Sequence, residues 1–253
     1  MANPRPAVLV TGAAKRLGRA IALDLGAHGW SVAVHYNNSQ GDAEETVAAL
    51  HQKGVHAAAI NADLSMEDDA QRLISRVREA VGPLTALVNN ASVFEMDTIS
   101  TMTRASWDKH IETNLRAPLV LAQNFAEQLP HGTEGAIVNL LDQRVLKPTP
   151  QHLSYGVSKA GLHWLTVTLA QALAPRIRVN SVAPGPTLRN QRQSEAHFQR
   201  QQASTILGRG ATPEDVAAAT RYLLEAHAVT GQMIAVDGGQ HLVWRTADVS
   251  GLE

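Results

Sequence analysis

The stretch Val8-Leu-Val-Thr-Gly-Ala-Ala-Lys-Arg-Leu-Gly18 passes from a compact apolar run, through a glycine turn, into a helix-like segment. In a strand–turn–helix of this kind, backbone N–H groups at the helix N-terminus can meet a pyrophosphate. Gly12 suits the tight turn, and Gly18 permits close helix–strand packing. The fuller glycine fingerprint is broken, because Arg16 stands where a middle glycine is often found.

Outward from this stretch the chain keeps alternating. Residues 7–10, 31–36, 55–60, 86–89, 136–141, 176–182 and 232–236 read as seven strands. Helical segments are expected near 17–27, 42–53, 67–81, 104–115, 118–128 and 154–173. Gly82-Pro83 stops the third helix, and Pro175 stops the last. The strands are almost continuously apolar, as when both faces of a sheet are covered. The pattern predicts an α/β fold, a parallel seven-stranded sheet with helices on both faces. Without a linker or repeat, residues 1–253 are expected to form a single domain. The one long irregular stretch is 184–210, rich in Arg, Gln and Ser. It is expected to be a substrate loop or lid, with a merely solvated surface loop as the alternative.

Composition excludes several functions. Among 253 residues, 22 Lys and Arg face 23 Asp and Glu, so no basic surplus draws the chain to nucleic acid. No apolar run reaches the ~18 residues that span a bilayer. Residues 1–6 carry no hydrophobic signal region, and a cytoplasmic protein with no membrane partner is the expectation. Cysteine is absent, which excludes disulfides, thiolate catalysis and Cys-ligated metals, and no metal site is expected.

Charge near the glycine turn selects a cofactor. A site for NAD places an acid about 20 residues beyond the glycines, at the end of strand two. Here that region is His35-Tyr36-Asn37-Asn38-Ser39, without an acid. Lys15 and Arg16 add positive charge, and the hydroxyls and amides of Tyr36, Asn37, Asn38 and Ser39 suit a 2′-phosphate. NADP(H) is expected over NAD(H), unless Lys15 and Arg16 are only solvated loop charges. Further on, Tyr155-Gly-Val-Ser-Lys159 places a phenol and an ammonium on one helix face. The ammonium favours the phenolate, so the Tyr155 pKa is expected to fall toward the working range.

These pieces occur in an ordered set: Thr11-Gly12…Gly18, Asp63-Leu64, Asn89-Asn-Ala-Ser92, Asn114, Tyr155…Lys159, Pro184-Gly185 and Val236-Asp-Gly-Gly239. In order and spacing the chain resembles the short-chain dehydrogenases/reductases over nearly its full length. The resemblance implies a Rossmann-like doubly wound fold and hydride transfer with a nicotinamide cofactor. It implies Tyr155 as general acid, Lys159 on the nicotinamide ribose, and Asn114 holding a water that links Lys159 to solvent. Gly12, Lys15, Arg16, Leu17 and Gly18 would form the cofactor turn. Asp63 and Leu64 would face the adenine, Asn89 and Ala91 would line the groove, and Pro184, Gly185 and Thr187 would lie beside the cofactor. A homotetramer built on the 154–173 helix is common in the family, although Leu162, Trp164 and Leu165 fit packing within one subunit equally well.

Two departures narrow the resemblance. Thirteen residues before Tyr155, where the family usually has Ser, stands Asp142; and the glycine loop carries Lys15-Arg16. Both resemble the pteridine reductase branch and the bacterial dihydromonapterin reductases, as do His35-Tyr36…Ser39, Phe94, Gln199–Gln202 and the stretch from Val229 to Leu242. The branch implies a pterin-like small molecule, including dihydrofolate, as substrate, with Arg16, Ser92, Phe94, Asp142 and Tyr155 around it. A carboxylate at 142 accepts bonds from ring N–H and amino groups, and it opposes loss of the Tyr155 proton. The alternatives are an Asp142 that only caps a turn and a Phe94 that only packs in the core. A carbonyl or 3-oxoacyl reductase and a non-enzymatic NADP(H) sensor remain the rival functions.

Overall fold

The computed structural model describes residues 6–190 and 192–244. Its seven strands are β1 (Ala7–Val10), β2 (Ser31–Tyr36), β3 (Ala57–Asn61), β4 (Ala86–Asn89), β5 (Gly135–Leu140), β6 (Ile177–Pro184) and β7 (Met233–Val236). They form one sheet in the order β3-β2-β1-β4-β5-β6-β7, with every neighbouring pair parallel. The helices are α1 (Arg16–Ala27), α2 (Gln40–His51), α3 (Glu67–Val81), α4 (Arg104–Ile111), α5 (Ala117–Gln128), α6 (Leu153–Leu173), α7 (Glu195–Ala203) and α8 (Pro213–Glu225).

Strand periodicity sorts the helices into two layers. Val8 and Val10 point into one cluster with Ile21 and Leu25 of α1, Leu50 of α2 and Leu223 of α8. Leu9 points the other way, into a cluster with Leu73 and Val77 of α3 and with Leu121 and Phe125 of α5. Both faces of the sheet are therefore dry, which explains why the strands read as unbroken apolar runs. The expected α/β architecture, doubly wound with helices on both faces, is the one observed. Because β1 lies between β2 and β4, the winding reverses there, and the carboxyl ends of β1, β4, β5 and β6 open on one cleft.

Three segments differ from the sequence expectation. The stretch 104–115 is not one helix: α4 ends at Ile111, and a π-helical turn, Glu112–Arg116, leads into α5. The wider turn carries Asn114, fully buried, a placement that α-helical periodicity alone does not announce. Within 184–210, nine residues form α7, started by Ser194, whose hydroxyl accepts the His197 N–H. None of the α7 residues is buried, so its sequence lacks an apolar stripe. Helix α8 lies in a stretch for which the sequence reading offered no element. Its signals were local: Pro213 in the first turn and a capping box in which Thr212 and Asp215 satisfy each other's backbone N–H.

Thr212→Ala removes one half of that box and should lower unfolding stability by about 1 kcal/mol. Urea melts of wild type and variant measure this. An unchanged midpoint would show that packing against α1 and the sheet holds α8 in place without the cap.

Candidate active site

The glycine turn is held by polar groups in or just beyond three neighbouring strands. The Thr11 hydroxyl accepts the N–H groups of Asn90 and Ala91, both at 2.9 Å. Asn90 Nδ2 donates back to the carbonyls of Thr11 and Gly12 at 2.8 and 3.1 Å. The Gly12 N–H donates to His35 Nδ1 at 2.9 Å, so the His35 proton sits on Nε2 and faces the Ala62 carbonyl at 3.1 Å. Burial depresses the His35 pKa from 6.5 to about 4, against the pull of the Ala62 carbonyl. Thr11, His35 and Asn90 thus shape the turn, yet none was singled out as a site residue. Each does so through a contact that is distant in sequence.

Gly12 has φ +62°, and a Cβ at Gly18 would lie 2.2 Å from the Gly12 carbonyl oxygen, so both glycines are required. Arg16 has φ 55°, which explains why a glycine is common at this place in such turns. Its guanidinium donates to the carbonyls of Arg189 and Leu188 at 2.9 and 3.2 Å, tying the turn to the stretch before α7. Lys15 is exposed and paired with Asp42 at 3.0 Å, so its charge is partly answered from α2. The first turn of α1 carries no acid and no side-chain cap, and its N-terminal N–H groups fit a phosphate. Leu17 lies half-buried in that first turn.

Around the groove, Asn37 and Asn38 are exposed, while Tyr36 and Ser39 are half-buried at the end of β2. The Asp63 carboxylate accepts the Ser65 N–H and hydroxyl, and Leu64 is buried beneath the start of α3. Asn89 donates to Asn139 at 2.9 Å, fixing the neighbouring ends of β4 and β5. Ala91 adjoins the Gly12 turn, and Ser92 is exposed. Pro184 and Thr187 are buried at the end of β6, and Gly185 is needed where a Cβ would meet Asp237 at 2.5 Å.

On the far side of the cleft four side chains converge. The Tyr155 hydroxyl donates to Asp142 Oδ2 at 3.0 Å. The same oxygen accepts Arg144 Nη1 at 3.0 Å, while Asp142 Oδ1 accepts the Arg144 N–H at 2.8 Å and caps the 3-10 turn Gln143–Val145. Asp142 therefore caps a turn and also accepts the tyrosine hydroxyl, so it does more than cap. Burial and the Asp142 charge push the Tyr155 phenol well above its ordinary value, and Arg144 opposes them. This corrects the expected lowering by Lys159. The ammonium lies 5.8 Å from the ring centroid and donates instead to the Leu140 carbonyl at 2.7 Å. Burial lowers the Lys159 pKa to about 8, against the raising effect of Asp142. Asn114 donates to the Val93 carbonyl and to Ser158 Oγ, one residue from Lys159.

Phe94 is not a free face. His152 stacks on it at 4.3 Å, Tyr155 meets it edgewise at 4.7 Å, and the Arg144 guanidinium lies 5.5 Å from its centroid. Arg144 is a further site residue that the sequence does not single out. A cation two residues after an unusual acid was its visible signal.

The chain matches the enoyl-(acyl carrier protein) reductase family over residues 12–241. The 3-oxoacyl-[acyl-carrier-protein] reductase FabG of Staphylococcus aureus (strain Mu50) is 35% identical, over 92% of this chain and 97% of that protein. A short-chain type dehydrogenase/reductase of Picea abies is 32% identical, over 92% of this chain and 91% of its own. This chain belongs to the short-chain dehydrogenase/reductase family. Among solved members of the family, FolM alternative dihydrofolate reductase 1 of Brucella suis, in complex with NADP, is 44% identical. It superposes with a TM-score of 0.93, covering 97% of this chain and 98% of that one. Among the described residues, no helix is long and apolar enough to cross a membrane.

The buried neutral His35 predicts a pH dependence. The unfolded chain takes up a proton near pH 6.5, whereas the folded chain resists until about pH 4. Stability is intact above that window and falls as pH drops through it, with about 2 kcal/mol lost by pH 5. Urea melts at pH 7.5 and 5 should show a smaller loss in His35→Gln than in wild type. Equal losses would place the pH sensitivity elsewhere.

Proposed function

We propose that this chain is an NADPH-dependent reductase of a pterin or dihydropterin, with dihydrofolate as a related substrate. The observation that carries the reading is the Asp142 carboxylate, which accepts the Tyr155 hydroxyl where the family usually has a serine. A serine there suits a carbonyl oxygen; a carboxylate suits ring N–H and amino donors. The FolM neighbour, an alternative dihydrofolate reductase bound to NADP, supports the same substrate class. The uncapped α1 terminus, Arg16 and the acid-free end of β2 suit NADPH.

When bound, NADPH supplies the hydride to the carbon of a ring C=N bond. Tyr155 gives its proton to the adjacent nitrogen, and Asp142 keeps that proton on the phenol until the nitrogen becomes basic enough to take it. Arg144 holds the carboxylate in place and limits its charge. Lys159, fixed by the Leu140 carbonyl, would grip the ribose, and a water held at Asn114 would link Lys159 to solvent so that the proton Tyr155 gives up is replaced. Arg16 and Ser92 border the substrate, and Phe94 backs the site through its edge contact with Tyr155. In the same reading the protein is a cytoplasmic homotetramer joined through α6, on which Trp164 is 72% exposed while Leu162 is buried within the subunit.

The second reading is a 3-oxoacyl thioester reductase, favoured by the identity with the S. aureus enzyme. An intact Asn114, Tyr155 and Lys159 set argues against the third, a non-catalytic NADP(H) sensor.

NADPH oxidation with a dihydropterin, dihydrofolate and a 3-oxoacyl thioester separates the three readings. Pterin turnover should dominate; turnover of the thioester alone would establish the second reading, and none at all the third.

Asp142 can be tested more finely. Asp142→Asn keeps an oxygen to cap the turn but removes the charge, and Asp142→Ser recreates the usual family residue. Both should lose pterin turnover about ten- to a hundredfold, with NADPH binding little changed. Full turnover in Asp142→Asn would reduce the residue to a cap. Tyr155→Phe should lose most turnover and still bind NADPH, as isothermal titration would read.

A further inference from the structure

A second buried polar cluster lies behind Tyr155, and the chemistry above does not use it. Helix α6 begins two residues before Tyr155, yet its N-cap, His152, sits at φ 58° and caps nothing with its side chain. Asp97, from the loop after Phe94, does that work from outside the helix. Its Oδ1 accepts the Ser154 N–H at 3.1 Å, and its main-chain carbonyl accepts the Leu153 N–H at 3.2 Å. Its Oδ2 accepts the hydroxyl of Ser154 and, at 3.3 Å, that of Ser106 on α4.

His110 on α4 completes the cluster and sets its polarity. Its Nε2 accepts the Glu95 N–H at 3.1 Å, so the ring proton is on Nδ1. That Nδ1 faces Ser154 Oγ at 2.7 Å and the Ser106 carbonyl at 3.0 Å. Burial holds the His110 pKa below the ordinary histidine range, against the pull of Asp97, which keeps the ring neutral. The bonds then run in one direction: Glu95 N–H to His110, His110 to Ser154, Ser154 to Asp97. Asp97 is 2% exposed, and His110 and Ser154 are fully buried. A network this buried rigidifies its surroundings only while every member is present.

The network joins three elements that meet at the reacting group: the Phe94–Asp97 loop, α4 and the first turn of α6. Ser154 is the residue directly before Tyr155, and the His110 ring stands edgewise to the Tyr155 ring at 6.1 Å. We propose that Asp97, His110 and Ser154 are positioning residues that fix the reach of the Tyr155 hydroxyl toward Asp142 and the substrate. The proposal rests on Tyr155 as the proton donor and not on the pterin assignment.

The experiment is a set of double-mutant cycles on the full-length protein. His110→Ala, Ser154→Ala and Asp97→Asn are each placed in the wild-type and Tyr155→Phe backgrounds. Single-turnover NADPH oxidation with enzyme in excess resolves the slow Tyr155→Phe reaction. Each substitution should lower kcat about tenfold in the wild-type background, with KM for NADPH within about twofold. In the Tyr155→Phe background each should change the rate little, because the group being positioned is gone. Ser154→Thr, which keeps the hydroxyl, should restore most of the loss.

Equal losses in both backgrounds would mean that the cluster only supports the fold, and wild-type kcat in the folded variants would equally overturn the proposal. If Asp97→Asn fails to fold, the Ser154→Ala and Ser154→Thr pair decides the matter. Failure of the pterin reading shows itself separately, as wild-type turnover of the 3-oxoacyl thioester without pterin turnover, and the same cycles then run on that substrate. Undiminished turnover in Tyr155→Phe would overturn the proposal together with the proton-donor role beneath it.

Discussion

β1 is hydrogen-bonded to β2 on one side and to β4 on the other, and the rest of the cleft hangs on that double pairing. It brings Thr11 against Asn90 and Ala91, and it brings Gly12 against His35. These bonds hold the glycine turn at the point where the sheet reverses its winding. Positive φ is costly in isolation at Arg16, whereas Gly12 adopts it without steric strain. Here hydrogen bonds from the neighbouring strands hold the turn in shape.

The opposite wall of the cleft is a problem in electrostatics. Lys159 and Tyr155 are almost completely buried, and Asp142 and Arg144 stand beside them. The buried Lys159 ammonium and the half-buried Asp142–Arg144 pair need hydrogen bonds in place of the water they lose. The Leu140 carbonyl answers Lys159, while Asp142 answers both Arg144 and the phenol. One consequence is that the phenol keeps its proton, and the Lys159 ammonium is anchored on a main-chain carbonyl rather than on the phenol. A further consequence is that Asp142 is shared: its position depends on the turn it caps, on Arg144 and on Tyr155 together.

Elements that the chain specifies locally were legible without coordinates. The strands β1, β2 and β4 and the helix α3 fall on the residues expected, because apolar runs and Gly or Pro stops encode them directly. Helix α7 was hidden because it buries nothing. Helix α8 carried its signals in a capping box and a proline rather than in a stretch that drew attention. Asn114 was marked by its place in the order of motifs, but the π-helical turn that carries it into the interior leaves no trace in periodicity.

The sequence by itself determined the α/β class, the sheet's seven strands, the glycine turn and the pairing of Tyr155 with Lys159 on one helix. All of these depend on spacing and periodicity within short windows. Only the tertiary structure decided the state of the groups in the cleft. It placed Arg144 on Asp142, His152 on Phe94, His35 under Gly12 and Asp97 at the start of α6. It also reversed the expected shift of the Tyr155 phenol. Burial and through-space charge set a proton's affinity, and both come from residues far apart in the chain, where local spacing carries no information.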